Sequence, residues 1–253
     1  MSRNPHRKAL VGRACDSVLA GVFFVCAASI LGDYAFPGPV LRSLNFQDDF
    51  ENGDLSAWAF PFPEDWQVLA EGPNHYLHML RKREPGVPRR PLQFALFKGP
   101  RVGSFGLTTR LRREHRSLII VFNYVDTMHF YYAHLSVDSG LKQQVHNGVF
   151  IVNGEPRKRI AGLEAAPALP DTDWHTARIV RDAASGEIQV TMDEAKQPLF
   201  SVRDSTFTCG RVGIGSFDET GDFDDFELTS RDADCTPAAT IRPAKNPGAD
   251  SPH

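Results

Sequence analysis

Two groups of carboxylates could do chemistry in this sequence, one near residue 50 and one near residue 225. The first group contains Asp48 and Asp49, and the second contains Asp222, Asp224 and Asp225. Converging carboxylates are the hard oxygen ligands that Ca²⁺ prefers, and without a cation they would repel one another. We therefore predict a structural Ca²⁺ site formed by Asp48, Asp49, Asp224 and Asp225 if the two segments meet. The alternative is that these residues cap turns and edge strands.

Two cysteines are placed where they could stabilise a folded domain. Cys209 and Cys235 lie late in the chain, whereas the other two, Cys15 and Cys26, lie near its start. In an oxidising compartment the late pair could form a disulfide that holds the C-terminal end of the domain. Two unpaired thiols are the alternative, because a single pair has no spacing pattern to test. The sequence has neither a CxxC motif nor a Cys/His cluster, so no zinc site is expected.

Basic residues form a third group. They flank a Pro-rich loop and continue along the next runs: Arg81, Lys82, Arg83, Arg89, Arg90, Arg110, Arg112, Arg113 and Arg116. On a net-acidic chain this asymmetry favours an anionic glycan as ligand, and a solvated loop is the alternative. The formal net charge is -3, of which residues 1–32 contribute +3, so the remainder carries -6. A negative domain lacks the usual electrostatic footprint of a nucleic-acid binder, and no nucleic-acid partner is expected.

The first 32 residues have the pattern of an export signal. Basic residues from Arg3 to Arg13 precede an apolar run at residues 18–31 (VLAGVFFVCAASIL), which is short for a membrane span. Small residues at 27–29 suit a signal peptidase. We predict a cleaved signal peptide, with an uncleaved signal anchor as the alternative. The protein would then be periplasmic, cell-envelope or secreted, with membrane contact only through this segment.

Residues 45–231 read as successive short strands separated by turn signals. In the run from Phe105 to Arg113, apolar residues alternate with Thr108, Arg110 and Arg112, which is typical of a sheet with one face in a core. Asn-Gly and Ser-Gly pairs mark turns between the runs. The predicted fold class is therefore all-β, an antiparallel two-sheet sandwich. Residues 232–253 form a Pro-rich polar tail that we predict to be disordered.

Several of these runs carry a resemblance to a known superfamily. They are residues 46–53 (FQDDFENG) followed by Trp58, residues 120–126 (IVFNYVD), residues 129–135 (HFYYAHL) and residues 210–215 (GRVGIG). Together they resemble the concanavalin A-like lectin and glucanase superfamily, in particular its laminin-G-like and laminarinase-like jelly rolls. A more distant similarity connects the chain to 3-keto-disaccharide hydrolase domains. The resemblance implies a jelly-roll sandwich whose first and last strands pair, which would bring the calcium candidates together.

The resemblance also implies a saccharide site on the concave face of one sheet. Strand alternation points Tyr132 and His134 away from the core. The residues that would form this platform are Arg110, Arg112, Asn123, Tyr132, His134 and His146. Aromatic rings stack on the apolar face of a sugar, and planar donors bond its hydroxyl or carboxylate groups. The alternative is that the rings only cover the sheet and the charged groups are solvated.

Catalysis is a weaker expectation. Retaining laminarinase-type hydrolases carry Glu-x-Asp-x-x-Glu on one strand, because double displacement needs two carboxylates close together. The nearest match, DFDDFE from Asp222 to Glu227, begins with Asp and lies on the last strand instead of mid-domain. The Asn-Ser-Gly signature of the 3-keto-disaccharide hydrolases is absent, since residues 121–124 read VFNY. No catalytic residue is therefore predicted.

Three functions follow from these observations. The first is an exported, non-catalytic module that recognises a polysaccharide or oligosaccharide. The second is a glycoside hydrolase-like enzyme with an unconventional site, and the third is an envelope-anchored protein-interaction domain. The missing glutamate pair favours the first.

Overall fold

Short strands with alternating apolar and polar side chains build the fold. The computed structural model describes residues 42–236, and in this range fifteen strands accompany one 3₁₀ turn at Pro63–Asp65. The strands are β1 (Arg42–Asp48), β2 (Trp58–Ala59), β3 (Trp66–Glu71), β4 (Asn74–Met79), β5 (Gln93–Phe97), β6 (Phe105–Arg113), β7 (Ser117–Asp126), β8 (His129–Ser136), β9 (Gly148–Asn153), β10 (Lys158–Ala161), β11 (His175–Asp182), β12 (Glu187–Met192), β13 (Phe200–Arg203), β14 (Arg211–Ser216) and β15 (Gly221–Ala233).

Eight strands form the first sheet, here called sheet A. Its order is β13-β12-β11-β6-β15-β4-β3, and β1 also pairs with β15. The 13-residue strand β15 is its longest element. Strand β6 follows β15 along one edge, whereas β4 and then β1 share the other edge. A bulge at Asp225, whose φ is 45°, separates the two halves of β15.

Seven strands form the second sheet, here called sheet B, in the order β10-β9-β8-β7-β14-β5-β2. Strand β14 has Gly213 and Gly215 at the positions where its backbone closely approaches that of its neighbour β5. A Cβ atom on Gly215 would lie 2.1 Å from the carbonyl oxygen of Gln93, and one on Gly213 would lie 2.3 Å from that of Ala95. Larger residues at these positions would therefore push the two strands apart.

The main core lies between the inner faces of the two sheets. Leu107 and Leu111 of β6 face Phe122 and Tyr131 of the opposite sheet, and all four are fully buried. Burying an apolar side chain of this size stabilises the fold by about 1.5–3 kcal/mol. The inward half of each alternating strand therefore holds the sandwich together.

A second apolar layer covers the outer face of sheet B. Its buried members are Phe94, Leu96, Ile119, Val121, Phe130, Tyr132, Phe150, Val152 and Phe217. The guanidinium groups of Arg89 and Arg157 lie over the Phe217 ring, at 4.8 and 3.9 Å from its centre. The backbone N–H of Arg157 also donates to the carbonyl of Arg89. The chain itself thus closes this face.

The sequence predicted this architecture in outline. The two antiparallel sheets confirm the all-β sandwich, and β1 pairs with the last strand as the resemblance implied. The strands begin at Arg42 and end at Ala233, so they extend beyond both predicted limits, 45 and 231. The predicted leader at 1–32 and residues 237–253 of the predicted tail lie outside the described residues. Among the described residues, no helix is long and apolar enough to cross a membrane.

The C-terminal end of β15 is tied to the neighbouring loop. Cys209 and Cys235, the pair considered in the sequence, are joined by a disulfide. Next to it, Asp232 accepts from the backbone N–H of Ser104, and the N–H of Asp234 donates to Arg101. Asp232 therefore belongs to the folded domain, although the sequence placed it in the tail.

We expect the double substitution Cys209→Ser and Cys235→Ser to lower the free energy of unfolding by about 3 kcal/mol. The disulfide restricts the unfolded chain across a separation of 26 residues. Urea unfolding of the variant and of the oxidised parent measures the difference. Addition of a reductant should lower the parent to the level of the variant. Equal stability of the oxidised parent and the variant would contradict this expectation.

Candidate functional site

The predicted ligand residues lie on two different faces of the sandwich. Arg110 and Arg112 alternate with the buried residues of β6 and occupy the outer face of sheet A. Tyr132 and His134 occupy the outer face of sheet B and are fully buried. The alternation predicted for both strands is present. One ligand cannot contact both sets, however, because both sheets and the core lie between them.

The protein itself engages the other two predicted residues. Asn123 is buried where the β7–β8 pairing shifts register, and its side-chain amide donates to the carbonyl of Val102 at 3.1 Å. His146 lies beside His134, and its Nδ1 is 3.2 Å from an Asp138 carboxylate oxygen. The six residues therefore do not form the single platform that the resemblance implied.

A buried polar network explains His134. Burial, helped by the nearby charge of Arg157, holds the pKa of His134 well below its usual range, so the ring is neutral. Arg157 donates to Nδ1 at 3.1 Å and to the Tyr132 hydroxyl at 2.9 Å. Nε2 must then carry the proton and donate to the Ser117 hydroxyl at 2.9 Å. This histidine cannot act as a base toward Ser117, so the pair is structural and not a catalytic dyad.

The outer face of sheet A carries a second aromatic and polar cluster, in which Tyr76 is buried and the other members are partly exposed. We call Tyr76, His78, Arg110, Arg112 and Trp174 the sheet A platform. Tyr76 and Trp174 meet edge to face with ring centres 5.6 Å apart. The Arg112 guanidinium lies 4.7 Å from the centre of the Trp174 ring and 5.3 Å from that of Tyr76, and the Arg110 guanidinium lies 4.9 Å from Trp174. The two rings and two cations thus form one stack.

Asp222 fixes two members of the platform. The strand register places it between Arg112 of β6 and His78 of β4. Arg112 Nε donates to one carboxylate oxygen, and His78 Nδ1 bonds the other, both at 2.7 Å. The hydrogen bond to Asp222 outweighs burial and raises the pKa of His78. Glu71 holds the other side of Arg112 at 3.0 Å. Both donors are therefore locked in position before any ligand arrives.

Asp224 supports the second arginine. Its carboxylate accepts from the Asn74 amide at 3.0 Å and lies 3.7 Å from Arg110, which also pairs with Asp225 at 3.2 Å. Burial raises the pKa of Asp224 above its usual value, although the bond from Asn74 opposes the shift. Arg110 is thus held by two successive carboxylates of the bulged strand.

His175 anchors the segment that presents Trp174. Its two ring nitrogens bond carboxylates on opposite sides, Asp193 and Asp171, each at 3.0 Å. Burial opposes a charge on the ring, but these two bonds outweigh it and raise the pKa of His175. The ring therefore ties the start of β11 to Asp193, which directly follows β12, and to the preceding loop.

An open cleft of about 780 Å³ adjoins the platform. Its walls combine apolar, hydroxyl-bearing and ionised groups: Leu69, Tyr76, His78, Arg112, Arg113, Glu114, His115, Thr172 and Asp222. A site of this composition can bury one side of a ligand and bond its polar groups.

The bulge arranges three carboxylates in one row. Asp222, Asp224 and Glu227 pair with Arg112, Arg110 and Thr108 of β6, all on the outer face of sheet A. Ordinary alternation would turn Glu227 inward, and the extra residue at Asp225 restores its outward direction. The DFDDFE run therefore directs three acidic groups to the outer face of sheet A, where Asp222 and Asp224 are buried among their partners and Glu227 is exposed.

The pairing of β1 with β15 brings together the two segments that carry the predicted calcium ligands. Among the described residues, their side chains do not form a ligand cluster. Asp48 lies opposite Phe226 across the β1–β15 pair, so the two acidic segments do meet. Asp48 accepts from the Trp58 indole at 2.7 Å. Across residues 42–236, no group of three or more His, Cys, Asp or Glu residues is arranged to hold a metal. The calcium site with Asp48, Asp49, Asp224 and Asp225 stays a prediction.

Acidic residues compensate the basic residues around the Pro-rich loop. Arg83 pairs with Asp65 and Glu64, and Arg81 lies 3.4 Å from Asp65. Arg89 lies 3.9 Å from Asp218. Gln93 also donates to Asp65 at 2.9 Å, which fixes this loop against sheet B. These contacts fix Arg81, Arg83 and Arg89, whereas among the described residues Lys82 and Arg90 have no carboxylate partner.

Tyr76, His78 and Trp174 were not predicted as site residues from the sequence. Trp174 directly precedes the strand that begins at His175, and Tyr76 and His78 occupy alternate positions of another strand. The local sequence around each residue therefore contained a strand pattern. Their meeting depends on β15 and β6 lying between β4 and β11. This strand order cannot be read from the spacing of residues along the chain.

Comparison with known proteins supports the fold. No family model and no curated protein matches the sequence. Among solved structures, the carbohydrate binding module CBM66 from Bacillus subtilis is similar with a TM-score of 0.51 and 12% identity, covering 69% of this chain and 96% of that one. The GH43 protein BlXynB from Bacillus licheniformis has a TM-score of 0.52 and 16% identity, covering 73% of this chain and 39% of that one. At these identities the likeness shows the fold alone, and it agrees with the β-sandwich predicted from the sequence.

We expect the stability contributed by His175 to depend on pH. Because its pKa is raised in the folded state, the contribution is complete below about pH 6.5 and is lost as the pH rises through the folded pKa. His175→Gln should therefore lower the free energy of unfolding by roughly 0.5–1 kcal/mol more at pH 5.5 than at pH 9.

Urea unfolding at the two pH values measures this difference. His115→Gln is the control, because His115 is exposed and its ring makes no hydrogen bond to either carboxylate. An equal loss for His175→Gln at both pH values would show that the ring acts by packing alone.

Proposed function

We propose that the domain is a non-catalytic carbohydrate-binding module and that the sheet A platform with its cleft is the recognition surface. The observation that carries the proposal is the stack of Tyr76, Arg112 and Trp174 beside the cleft of about 780 Å³. A sugar ring presents an apolar face and a rim of hydroxyl groups. Aromatic rings beside fixed donors match both features. The similar fold of CBM66, a carbohydrate binding module by name, supports the proposal.

The donors of the platform are pre-organised for this role. A guanidinium has five N–H groups, and the bonds of Arg112 to Asp222 and Glu71 occupy only Nε and Nη1. Its Nη2 group is left for a hydroxyl of the ligand. His78 is held through Nδ1, so Nε2 is the nitrogen that a ligand can reach. Because these groups are already immobilised, binding orders few side chains and loses little entropy.

Export is part of the proposal. The positive, then apolar pattern of residues 1–32 supports it, and so does the Cys209–Cys235 disulfide, since such bonds persist in oxidising compartments. Polysaccharides occur in these compartments as components of cell envelopes and as extracellular material. The location and the ligand class are therefore consistent with each other.

We expect Trp174→Ala to weaken saccharide binding about tenfold, because the loss of a stacking ring removes on the order of 1–2 kcal/mol. A glycan array on the disulfide-bonded protein identifies a ligand, and calorimetry with that ligand measures the change. Tyr132→Phe is the matched control: it keeps the buried ring on the outer face of sheet B and removes only a hydroxyl that Arg157 bonds.

The two variants separate the two faces of the sandwich. Weaker binding by Tyr132→Phe, with Trp174→Ala unchanged, would contradict the assignment to sheet A. Retention of the folded state is checked by the circular dichroism of each variant.

Glycoside hydrolysis is a second candidate, favoured by the row of Asp222, Asp224 and Glu227. Asp224 has a raised pKa because of its burial, as a general acid requires. On one strand, the Cα atoms of residues two apart are separated by about 7 Å, which corresponds to the carboxylate spacing of inverting hydrolases. Against this role, Asp222 is ion-paired with Arg112, and Asp224 is pinned by Asn74.

The two functions are distinguished by product formation. As a binding module, the protein should release no reducing ends from a polysaccharide that it binds. Release that is abolished by Asp224→Asn but kept by Glu187→Gln, on β12 and outside the row, would establish the hydrolase instead. Measurement of reducing ends over a day with each variant makes the distinction.

A further inference from the structure

A second groove crosses the outer face of sheet A on the other side of the bulge. Two cavities of about 450 and 310 Å³ adjoin there and share Gly106, Arg178 and Thr229. In the strand register Gly106 of β6 lies between Thr229 of β15 and Val180 of β11. The groove is deeper at this point because Gly106 has no side chain. A Cβ atom there would lie 3.1 Å from the Thr229 hydroxyl.

The walls of this groove carry charge that the protein does not neutralise. Arg178 and Arg231 line it, both side chains are exposed, and within residues 42–236 neither has a carboxylate within ion-pair distance. Arg110 and Arg112, by contrast, are each held by two carboxylates. The acidic residue on the wall is Glu227, so the groove has a positive balance.

The other lining groups suit a sugar derivative better than a simple ion. Val180 exposes 39% of its surface and offers an apolar contact. Thr229 adds a hydroxyl group on the opposite wall. An unpaired guanidinium prefers a planar or tetrahedral oxyanion, which it can bind through two parallel N–H bonds. The groove therefore combines contacts for a ring with contacts for a negative group.

We propose that this groove binds the acidic group of a polysaccharide, a uronate carboxylate or a sulfate ester, while the sheet A platform binds neighbouring sugar rings. This inference rests on the proposed function. Both surfaces lie along β6, whose nine residues span about 30 Å. One extended chain can therefore cross the platform and the groove together.

Calorimetry with matched oligosaccharides tests the proposal. The probes are an oligogalacturonate, its uncharged methyl ester, and a sulfated and an unsulfated galactan oligomer. We expect at least one acidic probe to bind more tightly than its neutral partner, and added salt to reduce this advantage. The double substitution Arg178→Gln and Arg231→Gln should weaken binding of the acidic probe about tenfold and leave the neutral partner unchanged.

Arg203→Gln is the control variant. Arg203 is an exposed arginine of the same sheet, on the edge strand β13. The Arg203→Gln variant should bind both probes like the parent protein. Equal affinity for the acidic and neutral probes would overturn the groove proposal and leave the platform intact. An acidic preference that survives the double substitution would also overturn it. Failure of the parent protein to bind any saccharide on the array would instead refute the proposed function, and the groove with it.

Discussion

The extra residue at Asp225 is the constraint on which the outer face of sheet A depends. Strand β15 pairs with β4 over its first residues and with β1 over the rest, while β6 follows its other edge. Side chains of a regular strand alternate, so Phe223 and Phe226 could not both face the core without the insertion. The Thr109 hydroxyl donates to the carbonyl of Asp224 at 2.9 Å and satisfies a backbone group that the bulge removes from the ladder. The bulge is therefore built into the packing of both neighbouring strands.

The charges of the platform follow from this geometry. Arg110 and Arg112 lie on the same side of one strand, where two cations repel each other. The first half of β15 places Asp222 and Asp224 directly opposite them, so each repulsion is offset by an ion pair. Both carboxylates are buried, and a buried carboxylate without such a partner would destabilise the fold. The same contacts that stabilise the sheet therefore also fix the donors that a ligand would meet.

Local patterns were sufficient for the fold but not for the site. The alternation in β6 and β8 identified which side chains leave the core, and the resemblance implied the pairing of the end strands. The sequence did not reveal that Tyr132 would be covered. Its burial depends on Phe217, which precedes β15, and on Arg157, which precedes β10, and these contacts join distant parts of the chain.

The two outer faces differ in what their side chains contribute. On sheet B, Tyr132 stacks on Phe150, and Arg157 closes over the layer, so these rings stabilise the fold by exclusion of water. A ligand could reach them only if the covering segments separated, which would expose the layer to solvent at a cost of several kcal/mol. On sheet A, Trp174 and Arg112 are held by ionised partners and stay accessible without any rearrangement. Recognition at sheet A would therefore require no loss of stability, and this energetic difference is the physical reason to place the proposed ligand on that face.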